Sequence, residues 1–242
     1  MSIPLHGSIQ NARIASILDM PSAYCAGMDG AKHVLIVGAG GIGSTITDLL
    51  IPTLNIGNLA VELTVMDDDF VEQRNIGHQR FTPADIGKTK VAAIAEKFAD
   101  SQNVKITGIA EKLTQAEQLE NYDLVVIAVD NPQPRKLVHS TCDTWCDIRS
   151  TGDGFLLFTS NSPKQLVSSM TQDHPPASCQ VPGAIESGHI QFGFALAAVH
   201  AVEWLLANLW HGGSVIDQRI YSASFGQLEF PMISESEQEV VQ

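Results

Sequence analysis

The feature that most constrains the fold is a short apolar run that ends in clustered glycines. Residues 33–44 read HVLIVGAGGIGS, with four consecutive apolar residues directly before Gly38. An apolar run of this length indicates a strand buried on both faces of a parallel sheet. Helical spacing follows from Ser44 to Ile51, and Pro52 is expected to end that helix. The sequence therefore predicts an α/β fold with a parallel sheet wound on both faces.

The glycines follow the G-x-G-x-x-G pattern of a phosphate-binding loop. Gly38 is placed for the tight turn after the strand, and Gly40 for the approach of a phosphate to bare backbone. Gly43 lets the following helix lie close to the strand, with its N-terminal amides directed at an anion. Between a strand and a helix, the pattern predicts a site for nucleotide phosphates. The alternative is a glycine turn that binds no ligand.

Composition argues against two classes of partner. The chain has 242 residues, with 14 Lys and Arg against 27 Asp and Glu, and a formal net charge of −13. This charge repels nucleic acid and anionic membrane surfaces, so neither is expected as a partner. Residues 190–210 are long and mostly apolar, but His200 and Glu203 near their middle are costly in lipid. A buried or interface helix is therefore expected there.

The cysteines and the first residues indicate a reducing compartment. Cys25, Cys142, Cys146 and Cys179 show no spacing typical of a secreted disulfide framework. The N-terminus lacks the basic-then-apolar pattern of a signal peptide. We therefore expect reduced thiols and a cytoplasmic location.

Acidic residues follow two of the predicted strands. The strand at 59–66 ends in three aspartates that begin at Asp67. An acid at this point, roughly 20 residues beyond the glycines, is placed to bind a ribose hydroxyl, although a solvated turn is the alternative. The strand at 124–129 ends at Asp130 and Asn131. These two residues are expected on the same sheet edge as the glycine loop, because the carboxyl ends of parallel strands meet there.

The rest of the chain alternates predicted helices and strands. The expected elements are a helix at 91–99, a strand at 104–109, helices at 115–121 and 134–144, strands and turns from Trp145, a flexible-looking stretch at 168–183 and a closing strand pair around 219–230.

Four segments occur in the order and spacing of a known family. They are GAGGIG (38–43), DDDFVEQRN (67–75), GKTK (87–90) and DNPQPR (130–135). The chain resembles the ThiF/MoeB family of ubiquitin-activating-like adenylyltransferases, well over about residues 30–140 and more loosely to about 210. The resemblance implies a Rossmann-like, doubly wound, mostly parallel sheet with a mixed or antiparallel C-terminal extension, and a homodimer.

The resemblance also implies one domain over residues 1–242. Its expected parts are an N-terminal segment (1–31), a nucleotide-binding core (32–145), a C-terminal extension (146–232) with a crossover loop (168–183), and a frayed tail (233–242).

The activity implied by the resemblance is adenylation of a carboxylate with ATP and Mg²⁺. Glycine amides hold phosphate, cations take the charge that builds on the leaving pyrophosphate, and an aspartate holds the metal. The implied nucleotide-binding residues are Gly38, Gly40, Gly41, Gly43, Asp67, Asp69, Asn75, His78, Gln79, Lys90 and Asn131; the implied metal ligand is Asp130. Lys90 as a surface lysine, Asn75 as a turn former and Asp130 as a helix N-cap are the alternatives.

The chain departs from the family pattern at one phosphate-binding position. Where the family has N-L-x-R-Q, this chain has His78 in place of the arginine. Histidine carries at most a partial charge at neutral pH and lacks the bidentate fork of arginine. Either Arg80 or Arg74 substitutes from a neighbouring position, or activity is reduced. In relatives, the N-terminal segment of the partner subunit also supplies an arginine to the site. Arg13 is the candidate for this arginine here.

Two cysteine patterns allow further chemistry. Cys142 and Cys146 are spaced C-x-x-x-C, which on a helix puts both thiols on one face, where zinc would need further ligands. Cys179 lies in the crossover region where thioester-forming relatives place their cysteine, with His174 and His189 as the nearest bases in sequence. It is either catalytic or an incidental loop thiol.

The function expected from these observations is ATP-dependent activation of the C-terminal glycine of a ubiquitin-like or sulfur-carrier protein, as an acyl-adenylate. Lys90, Asp130, Arg80 and Cys179 are the expected catalytic residues. One alternative is a degenerate scaffold that binds a nucleotide or carrier without turnover. Another is an NAD-dependent oxidoreductase, which shares the glycine loop and the acid.

Overall fold

The computed structural model describes residues 31–57, 60–173, 178–213 and 216–230. The expectations for Cys25, Arg13 and the acidic tail from Ser234 lie outside these residues.

Within this part of the chain, strands and helices alternate as far as the fifth strand. The strands are β1 (Lys32–Val37), β2 (Val61–Met66), β3 (Val104–Ile109), β4 (Leu124–Ile127), β5 (Trp145–Thr151), β6 (Gly154–Thr159), β7 (Gln218–Ser222) and β8 (Gly226–Leu228). The α-helices are α1 (Gly41–Ile56), α2 (Lys90–Lys97), α3 (Pro132–Thr141), α4 (Lys164–Ser169), α5 (Ala184–Ser187) and α6 (Gly193–His211). The 3₁₀ turns are Gln73–Asn75, Pro83–Asp85 and Ala116–Leu119.

All strands belong to one eight-stranded sheet with the order β3-β2-β1-β4-β5-β6-β7-β8. Neighbours from β3 to β5 run parallel, and β6, β7 and β8 add antiparallel strands. The predicted doubly wound fold with an antiparallel C-terminal extension is confirmed. The strand order reverses between β1 and β4, and in open α/β sheets ligands bind at such a switch point, beyond the carboxyl ends of the strands.

Strand β1 is buried on both faces, as its apolar run predicts. Val34 and Ile36 face one side and pack with helices α1, α2 and α6. Leu35 and Val37 face the other side and pack with α3, α4 and the 3₁₀ turn Ala116–Leu119. Two hydrophobic layers therefore hold the strand whose end carries the glycine loop.

Helix α1 passes through Pro52, so the expected end at that residue is wrong. Proline removes one helical hydrogen bond and costs about 3 kcal/mol inside a helix. Here Leu50, Ile51 and Leu54 are fully buried. Burial of such side chains contributes about 1.5–3 kcal/mol each, which outweighs the cost of the proline.

Helix α6 is the one described helix that is long and apolar enough to cross a membrane, judged by length and composition. Half of its most apolar stretch is buried inside the protein. Phe194, Ala198 and Leu205 are among the residues that it contributes to the core beside α1, β5 and β6. This is the packing of a core helix, as the sequence predicts.

Several boundaries differ from the expectations. Strand β4 ends at Ile127, two residues early, and α3 begins at Pro132, because Asn131 caps it through a side-chain oxygen that accepts from the Gln133 amide at 2.9 Å. The helix expected at 134–144 therefore starts earlier, and it also ends earlier, at Thr141. Helix α4 was not predicted.

Candidate functional site

The glycine loop is fixed between the ends of three strands. The Gly38 amide donates to the Met66 carbonyl at 2.8 Å, and the Ala128 amide donates to the Val37 carbonyl at 2.8 Å. Gly38 has φ +100°, and a Cβ there would lie 2.5 Å from the Ala128 carbonyl oxygen. Only glycine fits this turn, because the conformation and the space both exclude a side chain.

The third glycine of the motif allows a close contact between α1 and β1. A Cβ on Gly43 would lie 1.8 Å from the Gly38 carbonyl oxygen. Gly41 serves a different contact, because its Cβ would lie 3.3 Å from the Phe194 ring of α6. The start of α1 thus packs against both the glycine loop and α6.

Gly40 differs from its neighbours, because no atom lies within 4 Å of the position of an added Cβ. It is the N-cap of α1, and no side chain caps this helix end. The first amides of a helix have no partner within the helix and attract anions. Open space beside bare backbone and unused amides is the arrangement that a phosphate group requires.

Asp67 holds the loop with both carboxylate oxygens. Oδ2 accepts from the Ala39 amide at 2.6 Å, and Oδ1 accepts from the Asp69 amide at 2.8 Å. Burial raises the pKa of Asp67, while the nearby Lys90 ammonium and these two amides oppose the rise. The carboxylate predicted to bind ribose therefore already fixes the loop and the tip of β2.

Lys90 is a buried cation rather than a surface lysine. Its side chain is 6% exposed, and Nζ lies 2.7 Å from Oδ2 of Asp69, whose side chain is 65% exposed. The Lys90 amide also donates to the Asp69 carbonyl at 2.9 Å. The ion pair joins the first residue of α2 to the loop after β2 and places a positive charge near the loop.

His78 lies close to this lysine. It is 6% exposed, and burial together with the Lys90 charge lowers its pKa, so the ring is neutral at physiological pH. Within the described part of the chain, His78 Nδ1 and Gln79 Oε1 are buried and have no hydrogen-bond partner. Two consecutive residues thus each keep a buried polar atom for which a polar ligand would be a partner.

The two arginines that could replace a family arginine have different surroundings. Arg80 donates from Nε to Thr45 Oγ1 at 3.3 Å, and its amide donates to Ser44 Oγ at 3.1 Å. Its backbone and its side chain are therefore attached to consecutive residues near the start of α1. Arg74 instead pairs with Glu72 at 2.6 Å on the surface. The geometry favours Arg80 as the guanidinium beside the phosphate region.

Asn75 and Asn131 have local roles in the backbone. Asn75 is buried, and its Oδ1 accepts from the Glu72 amide at 2.8 Å in a capping box. Asn131 caps α3, so the N-cap role considered for Asp130 belongs to its neighbour. Asp130 remains exposed three residues beyond the end of β4, at the sheet edge that carries Gly38.

The described cysteines Cys142 and Cys146 lie apart from each other. Cys142 is the C-cap of α3, whereas Cys146 is fully buried in β5 on the opposite face of the sheet. The helical alignment that the C-x-x-x-C spacing would allow does not occur, because α3 ends at Thr141 and Cys146 lies in β5. Among the described residues, no group of three or more His, Cys, Asp or Glu is arranged to hold a metal ion.

Cys179 lies beside the end of β5. Its carbonyl accepts from the Gly152 amide at 2.9 Å. Burial raises the pKa of the Cys179 thiol, and hydrogen bonding at the thiol only opposes the rise. The described surroundings therefore favour the thiol over the reactive thiolate.

A cavity of about 510 Å³ lies at the other edge of the sheet, away from the glycine loop. Its lining includes Ala60, Phe98 and Asn103, near the amino ends of β2 and β3. None of the residues expected in the nucleotide site lines it.

Sequence reasoning missed two sets of residues. Ser44 and Thr45 receive Arg80, and Phe194 packs on Gly41. The hydroxyls near the start of this helix were the available signal for the first set, whereas no local pattern connects Phe194 with the loop.

The sheet order and the glycine loop define a Rossmann-type α/β protein. The chain belongs to the ThiF family, which it matches over residues 29–238. The predicted resemblance is therefore confirmed.

Curated relatives match this chain over about half its length. It is similar to the adenylyltransferase and sulfurtransferase MOCS3 of Arabidopsis thaliana, with 34% identity over 116 residues, or 46% of this chain and 24% of the relative. It is also similar to the ubiquitin-like modifier-activating enzyme 5 of Drosophila persimilis, with 30% identity over 131 residues, or 48% and 33%. The chain thus spans only a quarter to a third of these relatives.

Solved structures share the fold. MccB of E. coli, solved with succinimide, superposes with a TM-score of 0.62 at 16% identity and covers 82% of this chain and 62% of MccB. PaaA superposes with a TM-score of 0.60 at 17% identity, over 82% and 64%.

Proposed function

We propose that this chain is an ATP-dependent adenylyltransferase that activates the C-terminal glycine carboxylate of a ubiquitin-like or sulfur-carrier protein. The observation that carries the proposal is the open backbone at Gly40 in a loop that Asp67 ties to the Lys90 region. Family membership supports the activity, since the named relatives include adenylyltransferases.

In the proposed reaction, a carboxylate oxygen attacks the α-phosphorus of ATP. The new bond joins that oxygen to the α-phosphorus. The bond between the α-phosphorus and the oxygen that bridges it to the β-phosphorus breaks, and pyrophosphate leaves with the electron pair. The amides at the start of α1, Lys90 and Arg80 stabilise the negative charge on the phosphates. His78 stays neutral and supplies hydrogen bonds rather than charge.

Asp130 fits the proposed Mg²⁺ because it is an exposed carboxylate at the switch-point edge, and hard oxygen donors suit this ion. Bound there, Mg²⁺ would neutralise phosphate charge. A homodimeric assembly stays a prediction from the family resemblance.

A second candidate function is nucleotide or carrier binding without turnover. The neutral His78 favours it, because one guanidinium of the family pattern is absent. The Arg80 side chain, held near the start of α1 by Thr45, favours catalysis instead.

The test is ATP–pyrophosphate exchange with purified protein, Mg²⁺ and small carrier proteins that end in Gly-Gly. Lys90→Met should reduce exchange by about 100-fold or more, the loss typical when one preorganised charge contact is removed. Lys88→Met is the matched control, because Lys88 pairs with Asp85 and Glu96 away from the loop. ATP binding without carrier-dependent exchange would support the scaffold, and equal loss in both variants would contradict the role of Lys90.

A further inference from the structure

A buried ion cluster lies directly behind the tip of β4. Its centre is Asp147 of β5, which is fully buried. Asp147 accepts hydrogen bonds from Arg135 of α3 and from Arg149 Nη2 and Nε, at 2.6 and 3.1 Å, and it contacts His139 Nε2 at 3.0 Å. The proposed reaction uses none of these four side chains.

The cluster contains more positive than negative charge. Burial and the two guanidinium groups lower the pKa of His139 to about 4, so its ring is neutral at physiological pH. Asp147 therefore balances only one of the two arginines. The acid that acts on Arg135 from outside the cluster is Asp130, which favours the charged guanidinium. Arg135 in the cluster and Asp130 beyond the end of β4 thus interact electrostatically.

Arg135 also makes a direct contact with the strand tip. One nitrogen of its guanidinium donates to Asp147, and another donates to the carbonyl oxygen of Val129. The carbonyl of Val129 belongs to the peptide that leads into Asp130. The planar fork of arginine therefore fixes this peptide to β5, which a side chain with one nitrogen cannot do in the same way.

The other side of the cluster holds the segment after α4. Arg149 donates to the Met170 carbonyl and to Thr171 Oγ1. Asp173 in the same segment accepts from Gln133 and Lys136 of α3, both at 2.8 Å. The β4 tip, α3 and the segment 170–173 are therefore joined by a continuous set of polar contacts.

We propose that Arg135 is a positioning residue that orients Asp130 by holding the Val129–Asp130 peptide against Asp147. The inference rests on the proposed function, since Asp130 is assigned there to Mg²⁺. Net stabilisation is a poor explanation for the cluster, because buried ion groups can often be replaced by apolar side chains without loss of stability. A fixed strand tip explains why the second guanidinium nitrogen binds a backbone carbonyl.

The first measurement is amide hydrogen exchange over residues 128–131, which needs no activity. Arg135→Met leaves Asp147 paired with Arg149, so the variant should fold. It should exchange at least about tenfold faster at these amides, because the strand tip opens locally. Arg135→Lys, which keeps the charge but not the fork, should behave in the same way. Wild-type exchange rates in either variant would overturn the proposal.

Val138→Ala is the matched control, because Val138 is fully buried on the same helix and its side chain has no polar atom to bond Asp147 or Val129. When the variant and the wild type are compared under conditions of equal global stability, the amide exchange rates of residues 128–131 in Val138→Ala should stay within about threefold of wild type. Equal acceleration in Val138→Ala would mean that the segment responds to any loss of packing, and it would also overturn the proposal.

The second measurement is the Mg²⁺ concentration that half-saturates ATP–pyrophosphate exchange. Arg135→Met should raise it about 10- to 100-fold, as loss of a group that orients a metal ligand does, with the KM for ATP changed much less. An unchanged Mg²⁺ requirement in an active variant would refute the positioning role. If wild-type protein itself shows no exchange activity, the proposed function fails, and hydrogen exchange still decides whether Arg135 holds the tip.

Discussion

Substitution of Gly40 by alanine separates folding from nucleotide binding. In this loop, a methyl group on Gly38 or Gly43 would collide with backbone carbonyls, at 2.5 and 1.8 Å. At Gly40 it meets nothing within 4 Å, and the backbone has φ −72°, which alanine adopts. The variant should therefore fold normally and place the methyl group in the space where a phosphate would lie.

Two small effects on stability nearly cancel. Replacing glycine at a compatible backbone position stabilises a protein by about 0.4–1 kcal/mol through the unfolded state. Alanine is a poorer N-cap than glycine and costs a similar amount, on the order of 0.5–1 kcal/mol. The net change should stay within about 1 kcal/mol, or roughly 2–4 °C in Tm for a chain of this size.

Nucleotide binding should change far more. A phosphate held by the amides of α1 would have to move away from the methyl group and lose its charge-assisted hydrogen bonds, which contribute about 1.5–3 kcal/mol each. Loss of one such bond weakens ATP binding by about 10- to 150-fold. Binding would be measured by titration calorimetry with ATP and Mg²⁺, and Tm by thermal unfolding.

Gly213→Ala is the control, since an added Cβ there also meets nothing within 4 Å and the residue lies just after α6. It should bind ATP as wild type does. If Gly40→Ala keeps wild-type affinity while folding normally, the phosphate does not lie at Gly40 and the reasoning about open backbone is refuted.

Two further predictions concern charge. Arg80→Met should lower kcat/KM for exchange by at least about tenfold. Arg74→Met should change kcat/KM less than about twofold, because Arg74 pairs with Glu72 on the surface. Equal effects of the two substitutions would contradict the choice of Arg80. The pKa of His139 falls from 6.5 in the unfolded chain to about 4 in the folded protein. Between these values the unfolded chain binds more protons, so stability should fall as the pH drops, by about 2 kcal/mol from pH 7.5 to pH 5. Denaturant unfolding at both pH values should show a smaller fall for His139→Gln, and an unchanged fall would assign the effect to other groups.

Local patterns predict the parts of the fold that depend on neighbours in sequence. The apolar run of β1 and the glycines after it are read directly, because burial on both faces and the tight turn each demand a residue type. The same reasoning fails at Pro52, since the core contacts that keep the helix intact come from other elements. At Cys146 the same reasoning holds, since strands are expected from Trp145 and the residue lies in β5.

The site shows the same division. The acids after β2 and β4 are predicted from strand ends, but the choice between Arg74 and Arg80 depends on where Ser44 and Thr45 lie. The Asp147 cluster joins residues as far apart as Arg135 and Thr171, so no spacing rule predicts it. Arg135 is visible in the sequence as part of DNPQPR, yet its partner is not.

The ion pair between Lys90 and Asp69 has a consequence for nucleotide affinity. Because the ammonium already has a carboxylate partner in the free protein, a nucleotide bound as proposed would exchange one counter-ion for another. The free energy that Lys90 contributes to nucleotide binding would then be the difference between its contact with phosphate and its contact with Asp69, not the full value of the phosphate contact. Asp69, being exposed, can return to water when it is displaced, so the cost of releasing it is small. In the free protein, the exposed carboxylate of Asp69 thus orients the buried lysine and is a partner that is easily replaced.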